Sequence, residues 1–430
     1  MRMGFPKNVN VVGRIVIGTA LTVSTAFISG MAEQKLAGAS EPVPAVYFGL
    51  HIHRAATTTA WPESKFGSWR LMDAYVIWPN LEPEKGKWDF SKLDLYVKQA
   101  EGAGVEILLP LAFSPRWASA RPDENSPYGP GNAAEPAQIE DWRNYVRTVA
   151  TRYKGRVRHY ELWNEVNTGF YTGSQEKLIE LAQEAYRILK EIDLGNVLVS
   201  PSVVGAGKHL IWFDDYLRKG GAKYLDVVGY HFYVPAESPE AMLGLVKAVK
   251  TIMAKNGVSD KPLWNTETGW WVANTDGTPE TGVAQGWKRL TPDEAAAYVS
   301  RALILGKAAG FGRFYWYSWD HKWMGLIEPA SKATKPAGRA YDQTYKWLSG
   351  STLLGCSQSG SIWKCDSKNR DGGRSWLVWT TDPAATWAPP NGWQGVSYET
   401  LDNTQHTLSR GASVPVTEAP VRVIGRPATR

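Results

Sequence analysis

Two glutamates stand in settings suited to acid–base and nucleophilic chemistry. Glu165 closes the run His159-Tyr160-Glu161-Leu162-Trp163-Asn164-Glu165, and Glu267 lies inside Leu263-Trp264-Asn265-Thr266-Glu267-Thr268-Gly269-Trp270. Both runs are apolar and β-rich, so each carboxyl belongs at or near a strand end. Two carboxyl groups facing one another across a shared mouth can divide the cleavage of a glycosidic bond. One protonates the leaving oxygen and the other attacks the anomeric carbon. A carboxylate pair gains weight only from the elements that bring it together.

The chain holds other constellations that could do chemistry. His51 and His53 sit at i and i+2, on one face of a strand, and an H-x-H pair of that kind can hold a metal. His231 and Asp320 are the further ligands such a site would draw on. The run Val197-Leu198-Val199-Ser200-Pro201 offers no histidine, and the strand before Glu165 carries no bridging lysine, so a metal-dependent hydrolase is disfavoured and no metal or cofactor is expected. One of the two histidines is expected to contact substrate hydroxyls, the other to satisfy a buried hydrogen bond. The chain has no G-x-S-x-G elbow, no GxGxxG and no P-loop. Its two cysteines, Cys356 and Cys365, are nine positions apart near the C-terminal end and read as a structural disulfide clamping a hairpin.

The elements that must position the glutamates follow from the alternation of the chain. Short β-rich runs recur at Val46–Ile52, Leu71–Trp78, Val105–Ala112, Val157–Trp163, Val197–Ser200, Leu225–Phe232, Pro262–Thr266 and Phe314–Trp319. Helical patterns separate them: Leu178, Leu181, Ala182, Ala185, Ile188, Leu189 and Ile192 mark one amphipathic helix, and Leu93, Tyr96, Val97 and Ala100 mark another. Eight βα units in one stretch are the element count of a (β/α)8 TIM barrel, an α/β fold. Glu165 and Glu267 are 102 positions apart, which at roughly 35 residues per unit puts them on the fourth and seventh strands, both opening at the C-terminal mouth. Long turn-rich segments, Ser114 to Pro136 and Trp271 to Pro292, lie where loops would wall that mouth. Beyond residue 350 the helical period stops and short β-like runs alternate with Gly, Pro, Asn and Asp turns, so residues 350–430 read as a small all-β, sandwich-like accessory domain after a barrel at 40–349.

The runs Trp163-Asn164-Glu165 and Glu267-Thr268-Gly269-Trp270 resemble the acid/base and nucleophile motifs of clan A glycoside hydrolases. The chain is most similar to glycoside hydrolase family 39 and its exopolysaccharide-cleaving relatives. The likeness extends to Trp69-Arg70 with Trp78 and Leu81-Glu82-Pro83, to His231-x-Tyr233, to Tyr315-Trp316-Tyr317-Ser318-Trp319, and to the all-β tail. It implies that Glu165 acts as general acid and then general base while Glu267 forms a covalent glycosyl-enzyme, with retention of configuration. It further implies that Asn164 bonds the sugar 2-hydroxyl, that Arg70 and Tyr233 hold Glu267, and that Trp319 is a stacking platform under the sugar. Plainer roles stay open for several of these: a turn cap for Asn164, a rim salt bridge for Arg70, core packing for Trp319. Trp117 and His231 complete the candidate substrate-binding set. A non-catalytic carbohydrate-binding barrel would be expected to lack one carboxylate, and both are present.

Composition bounds the rest. The chain of 430 residues holds 21 Trp and 19 Tyr, whose flat faces suit sugar rings as well as cores. Residues 1–39 read as a signal peptide, with Arg2, Lys7 and Arg14 before an apolar stretch from Ile15 to Met31 and the small-x-small signal Ala37-Gly38-Ala39. Export to the periplasm or medium is therefore expected, with no stable membrane span after cleavage. Removing Arg2, Lys7, Arg14 and Lys35 against Glu33 lowers the net charge from +6 to +3. That mild balance, without basic runs interleaved with aromatics, excludes nucleic acid as the expected partner and points to a polysaccharide or oligosaccharide. An endo-acting enzyme on a bacterial exopolysaccharide is the favoured reading, with an exo-acting β-xylosidase-like enzyme as its alternative.

Overall fold

The computed structural model describes residues 34–427 apart from Ala39 and Ala56. Parallel strands form a ring: β1 (Phe48–Leu50), β2 (Ser68–Arg70), β3 (Glu106–Leu111), β4 (His159–Leu162), β5 (Val197–Val199), β6 (Val228–His231), β7 (Leu263–Thr268) and β8 (Phe311–Trp316). The β5 strand breaks at Ser200-Pro201-Ser202, where proline withholds a donor, and resumes as Val203–Val204 alongside β6. Val199 also bridges to Val227, which closes the ring between its fifth and sixth members.

Helices follow seven of the strands. The amphipathic pattern around Leu178 becomes the helix Gln175–Ile192, capped by the Ser174 hydroxyl, which accepts from the Lys177 amide at 3.2 Å. Leu93 and its partners become Ser91–Ala103, ended by Gly104 in the left-handed conformation. Thr291 and Glu294 form a reciprocal capping box at the head of Pro292–Ala308. Between β1 and β2 the described residues form no helix, and Trp61 packs there against Phe66 and Trp69.

Two strands differ from expectation. The second is Ser68–Arg70 and not Leu71–Trp78. Most of the latter run is buried, which explains its apolar character, but Asp73 and Tyr75 take φ of 60° and 59° and break any strand there. The eighth strand ends at Trp316, so Tyr317-Ser318-Trp319 lies beyond it in the mouth.

The tail folds onto the barrel. Its seven-stranded antiparallel sheet runs in the order Gln34–Ala37, β9 (Thr352–Ser359), β10 (Ile362–Lys368), β11 (Arg374–Thr380), Val421–Pro427, Trp393–Glu399, Gln405–Thr407. Of the expected leader only residues 34–38 are described, and Gln34–Ala37 pairs with β9; residues 1–33 lie outside the described residues. Cys356 and Cys365 face one another across β9 and β10 and are joined by a disulfide. Leu377 and Trp379 share a continuous core with the barrel, whereas Trp376 and Val378 pack on the other side under a two-stranded flap, Ala385–Trp387 with Val414–Val416. A strand covered on both faces reads as an unbroken apolar run, as β11 does. Across the seam Trp379 Nε1 donates to Glu240, which also pairs with Arg301.

Candidate active site

Arg70, at the end of β2, organises the mouth of the barrel. Its side chain is wholly buried, and its three nitrogens donate in three directions: Nε to Glu161 at 2.6 Å, Nη1 to Glu267 at 2.8 Å and Nη2 to Asn164 at 2.7 Å. A guanidinium supplies that fixed fork; a lysine could not. Burial works against its charge, and Glu161 and then Glu267 more than restore it.

Glu267 is the penultimate residue of β7, where the register with β6 shifts between Tyr230 and His231, so that Glu267 falls opposite His231. The same irregularity appears against β8. Beside it, His51 Nε2 lies 3.1 Å from the Thr266 carbonyl, which makes His51 a buried partner of the bulged backbone. Tyr233 donates its hydroxyl to the other Glu267 oxygen at 2.8 Å. Burial raises the affinity of Glu267 for a proton, Arg70, bonded to it, opposes the rise, and the charge of Asp73 adds to it. Arg70 is bonded to Glu267 and not to Glu165, so the ionised member of the pair is Glu267.

Glu165 follows β4 through a sharp turn in which Trp163 and Glu165 itself take φ of 57° and 44°. Non-glycine residues hold such angles where the surroundings enforce them. Its Oε1 lies 3.0 Å from Nδ1 of His231, an imidazole that burial keeps neutral by lowering its pKa to about 4. Burial raises Glu165 to about 7, Arg70 opposes the rise and Asp73 supports it. An oxygen of Glu165, a nitrogen of His231 and an oxygen of Glu267 all lie within 4.8 Å of one another. These three could supply metal ligands, but Arg70 and Tyr233 already occupy both Glu267 oxygens, and a cation there would sit beside a guanidinium.

The structure thus brings together Arg70, Asn164, Glu165, His231, Tyr233 and Glu267. The remaining candidates make contacts of their own. Trp117 donates from Nε1 to the Glu82 carbonyl at 2.9 Å and packs edge-on against Trp78. Trp319 is only 4 % exposed, its amide bonded to the His51 carbonyl. Tyr317, two residues earlier, reaches the cluster instead: its hydroxyl donates to Asp73 at 2.7 Å, and the charge of Glu267 bears on it. His53 lies against Tyr317 at 5.0 Å between rings, with its amide on Asp320.

Glu161, Asp73, Tyr128 and Tyr317 were not singled out by sequence. Glu161 and Arg70 did carry a signal: each is a charge inside an apolar strand, and such charges need partners. Nothing local in the sequence points to Asp73 and Tyr128, which meet across 55 positions.

No family model matches the chain. Solved structures do share its architecture. A family 39 glycoside hydrolase from Bacteroides cellulosilyticus WH2 superposes with a TM-score of 0.69 at 18% identity, over 89% of this chain and 81% of that one. A monomeric β-xylosidase from Caulobacter crescentus CB15 gives 0.62 at 17%, over 91% and 98%. An α-L-arabinofuranosidase from Thermotoga maritima gives 0.63 at 10%, over 92% and 100%. The fold is that of a TIM barrel with an appended β-domain, and it is like that of the family 39 glycoside hydrolases among these structures.

Proposed function

We propose that this protein is a retaining glycoside hydrolase that cleaves β-glycosidic bonds by double displacement. The observation that carries this reading is the approach of Glu165 and Glu267 oxygens to within 4.8 Å, with Arg70 and Tyr233 on one carboxyl and neutral His231 on the other. Retaining enzymes hold their carboxyl groups about 5–5.5 Å apart, whereas inverting ones need about 6.5–9.5 Å to admit water. Glu267, oriented by its two donors, attacks the anomeric carbon as Glu165 passes its proton to the leaving oxygen. The bond to the leaving group breaks and a glycosyl ester of Glu267 forms. Esterification removes the negative charge that offset Arg70, so Arg70 acts more fully on Glu165 and favours its ionised form. Glu165 then takes a proton from water, the oxygen attacks the anomeric carbon, and Glu267 leaves as carboxylate. Asn164, held by Arg70, is the partner for the 2-hydroxyl.

The finer reading is an endo-acting enzyme on a bacterial exopolysaccharide. It is supported by the leader-like residues 1–39, the abundance of Trp, and the aromatic series Tyr233, Trp287, Trp323, whose successive rings lie 5.6 and 5.1 Å apart. The exo-acting, β-xylosidase-like alternative draws on the names of the structural neighbours. Product sizes from polysaccharides and aryl glycosides decide: oligomers are expected, and monosaccharides alone from chain ends would refute the endo reading. Loss of cleavage in Glu267→Ala, with no effect of chelator on the native protein, tests the mechanism; chelator-sensitive cleavage surviving in the variant refutes it. Export to the periplasm or medium is part of the proposal. Processing after Ala39 removes Gln34–Ala37 and its pairing with β9, so N-terminal sequencing of exported protein is expected to read from Ser40; a start at or before Gln34 refutes that boundary.

A further inference from the structure

A third acid stands at the mouth beside Tyr317, just beyond β8, and the mechanism does not use it. Asp73 accepts the hydroxyl of Tyr317 at 2.7 Å on one oxygen and that of Tyr128 on the other. A carboxylate offers about four acceptor positions, so two remain open. Asp73 is partly exposed, and among the described residues it has no ion pair. Its partner Tyr317 lies just beyond β8 at the mouth, and its charge bears on Glu165, Glu267 and Arg70. The backbone is held left-handed at both Asp73 and Tyr75, a cost retained where the surroundings over-determine the position.

The charge balance of the cavity follows. Among the described residues Arg70 is its one bonded cation, already divided between Glu161 and Glu267. Three of its histidines add no compensating charge: burial holds His51 and His231 neutral, and His321, beside Tyr317, likewise, while His53 faces Asp320 at 4.0 Å. Arg54 and Lys322 act on the His321 side, where Asp320 binds the Arg54 amide. With Glu165 protonated, the carboxylates of Glu161, Glu267 and Asp73 face a single guanidinium. Two buried imidazole nitrogens, Nε2 of His53 and Nδ1 of His51, also have no protein partner, and both rings lie against Tyr317. These are unpaired polar atoms packed behind Tyr317, the residue that holds Asp73.

We propose that Asp73 contacts substrate and makes this cavity select a sugar bearing a protonated amino group over its neutral parent, and reject the corresponding uronic acid. The inference rests on the reading of the cavity as a sugar site. An ammonium would take the open Asp73 oxygens in a charge-assisted bond, which is worth more than a bond from a hydroxyl, while a uronate would meet an excess of negative charge.

The test is binding of sugars that cannot be cleaved, read by NMR on the full chain: glucosamine and galactosamine, glucose and galactose, glucuronate and galacturonate. At least one amino sugar is expected to bind about tenfold tighter than its parent, with the uronate weakest. That ratio is expected to fall about fivefold or more in Asp73→Asn, and in the native protein to shrink as salt rises from about 0.02 to 0.5 M. Asparagine tolerates the left-handed backbone, and melting confirms folding of the variant; if it fails to fold, the salt series on the native protein decides. No bound amino sugar, a uronate binding as well as its parent, or a ratio indifferent to salt or to Asp73→Asn overturns the proposal. Hydrolysis is tested separately by Glu267→Ala, so either reading can fail alone.

Discussion

Replacing Glu165 with Gln removes a proton that the fold keeps in place at neutral pH, and the consequence appears in both stability and rate. Burial raises this carboxyl from 4.5 to about 7, a difference of about 3 kcal/mol between its protonation states. The folded protein retains the proton after the unfolded chain has released it. The contribution of Glu165 to stability is therefore complete below its unfolded pKa, and is lost as pH rises through about 7. Gln never ionises. Glu165→Gln should match the native protein near pH 4 and exceed it by up to about 3 kcal/mol near pH 8.5, measured by denaturant unfolding at each pH. In kcat/KM on any aryl glycoside that the native protein cleaves, the basic limb near pH 7 should vanish, with a loss of about 10²–10⁴-fold that is smallest for the best leaving group. A stability gap independent of pH, or a basic limb that survives the substitution, would refute the assignment of Glu165 as the buried acid.

Arg70→Lys should lose at least two of three charge-assisted bonds and cost about 3–6 kcal/mol in unfolding experiments. Because Arg70 lowers the proton affinity of both glutamates, both limbs of the pH–rate profile should move to higher pH; an unshifted profile would contradict its role. Glu240→Gln leaves Arg301, whose side chain is 3% exposed, with only its 3.9 Å pairing to Glu418 and should cost about 3 kcal/mol, with Trp379 fluorescence reporting the seam between barrel and sheet; an unchanged midpoint would argue against that contact. The double substitution Cys356→Ser, Cys365→Ser opens a short loop and should cost about 2–3 kcal/mol by denaturant melting, while reductant should leave the variant unaffected.

The sequence by itself determined the class of fold, because alternation of β-rich runs with 3.6-residue periodicity is a local property that survives without knowledge of partners. It also placed Glu165 and Glu267, since each stands at a strand end beside a recognisable neighbour: Asn164 for one, Gly269-Trp270 for the other. Leu71–Trp78 shows where periodicity misleads: those residues are apolar because they are buried, and two left-handed turns that no hydrophobic pattern reports keep them from forming a strand. The seam between barrel and tail, where Trp379 meets Glu240, was likewise invisible, because composition separates regions without saying which faces they share. Tertiary structure alone decided the electrostatics of the site. The fork of Arg70 onto Glu161, Asn164 and Glu267 and the hold of Tyr128 and Tyr317 on Asp73 join residues between 55 and 244 positions apart. A carboxyl's proton affinity depends on what surrounds it within a few ångströms, and that neighbourhood exists only once the chain has closed the barrel.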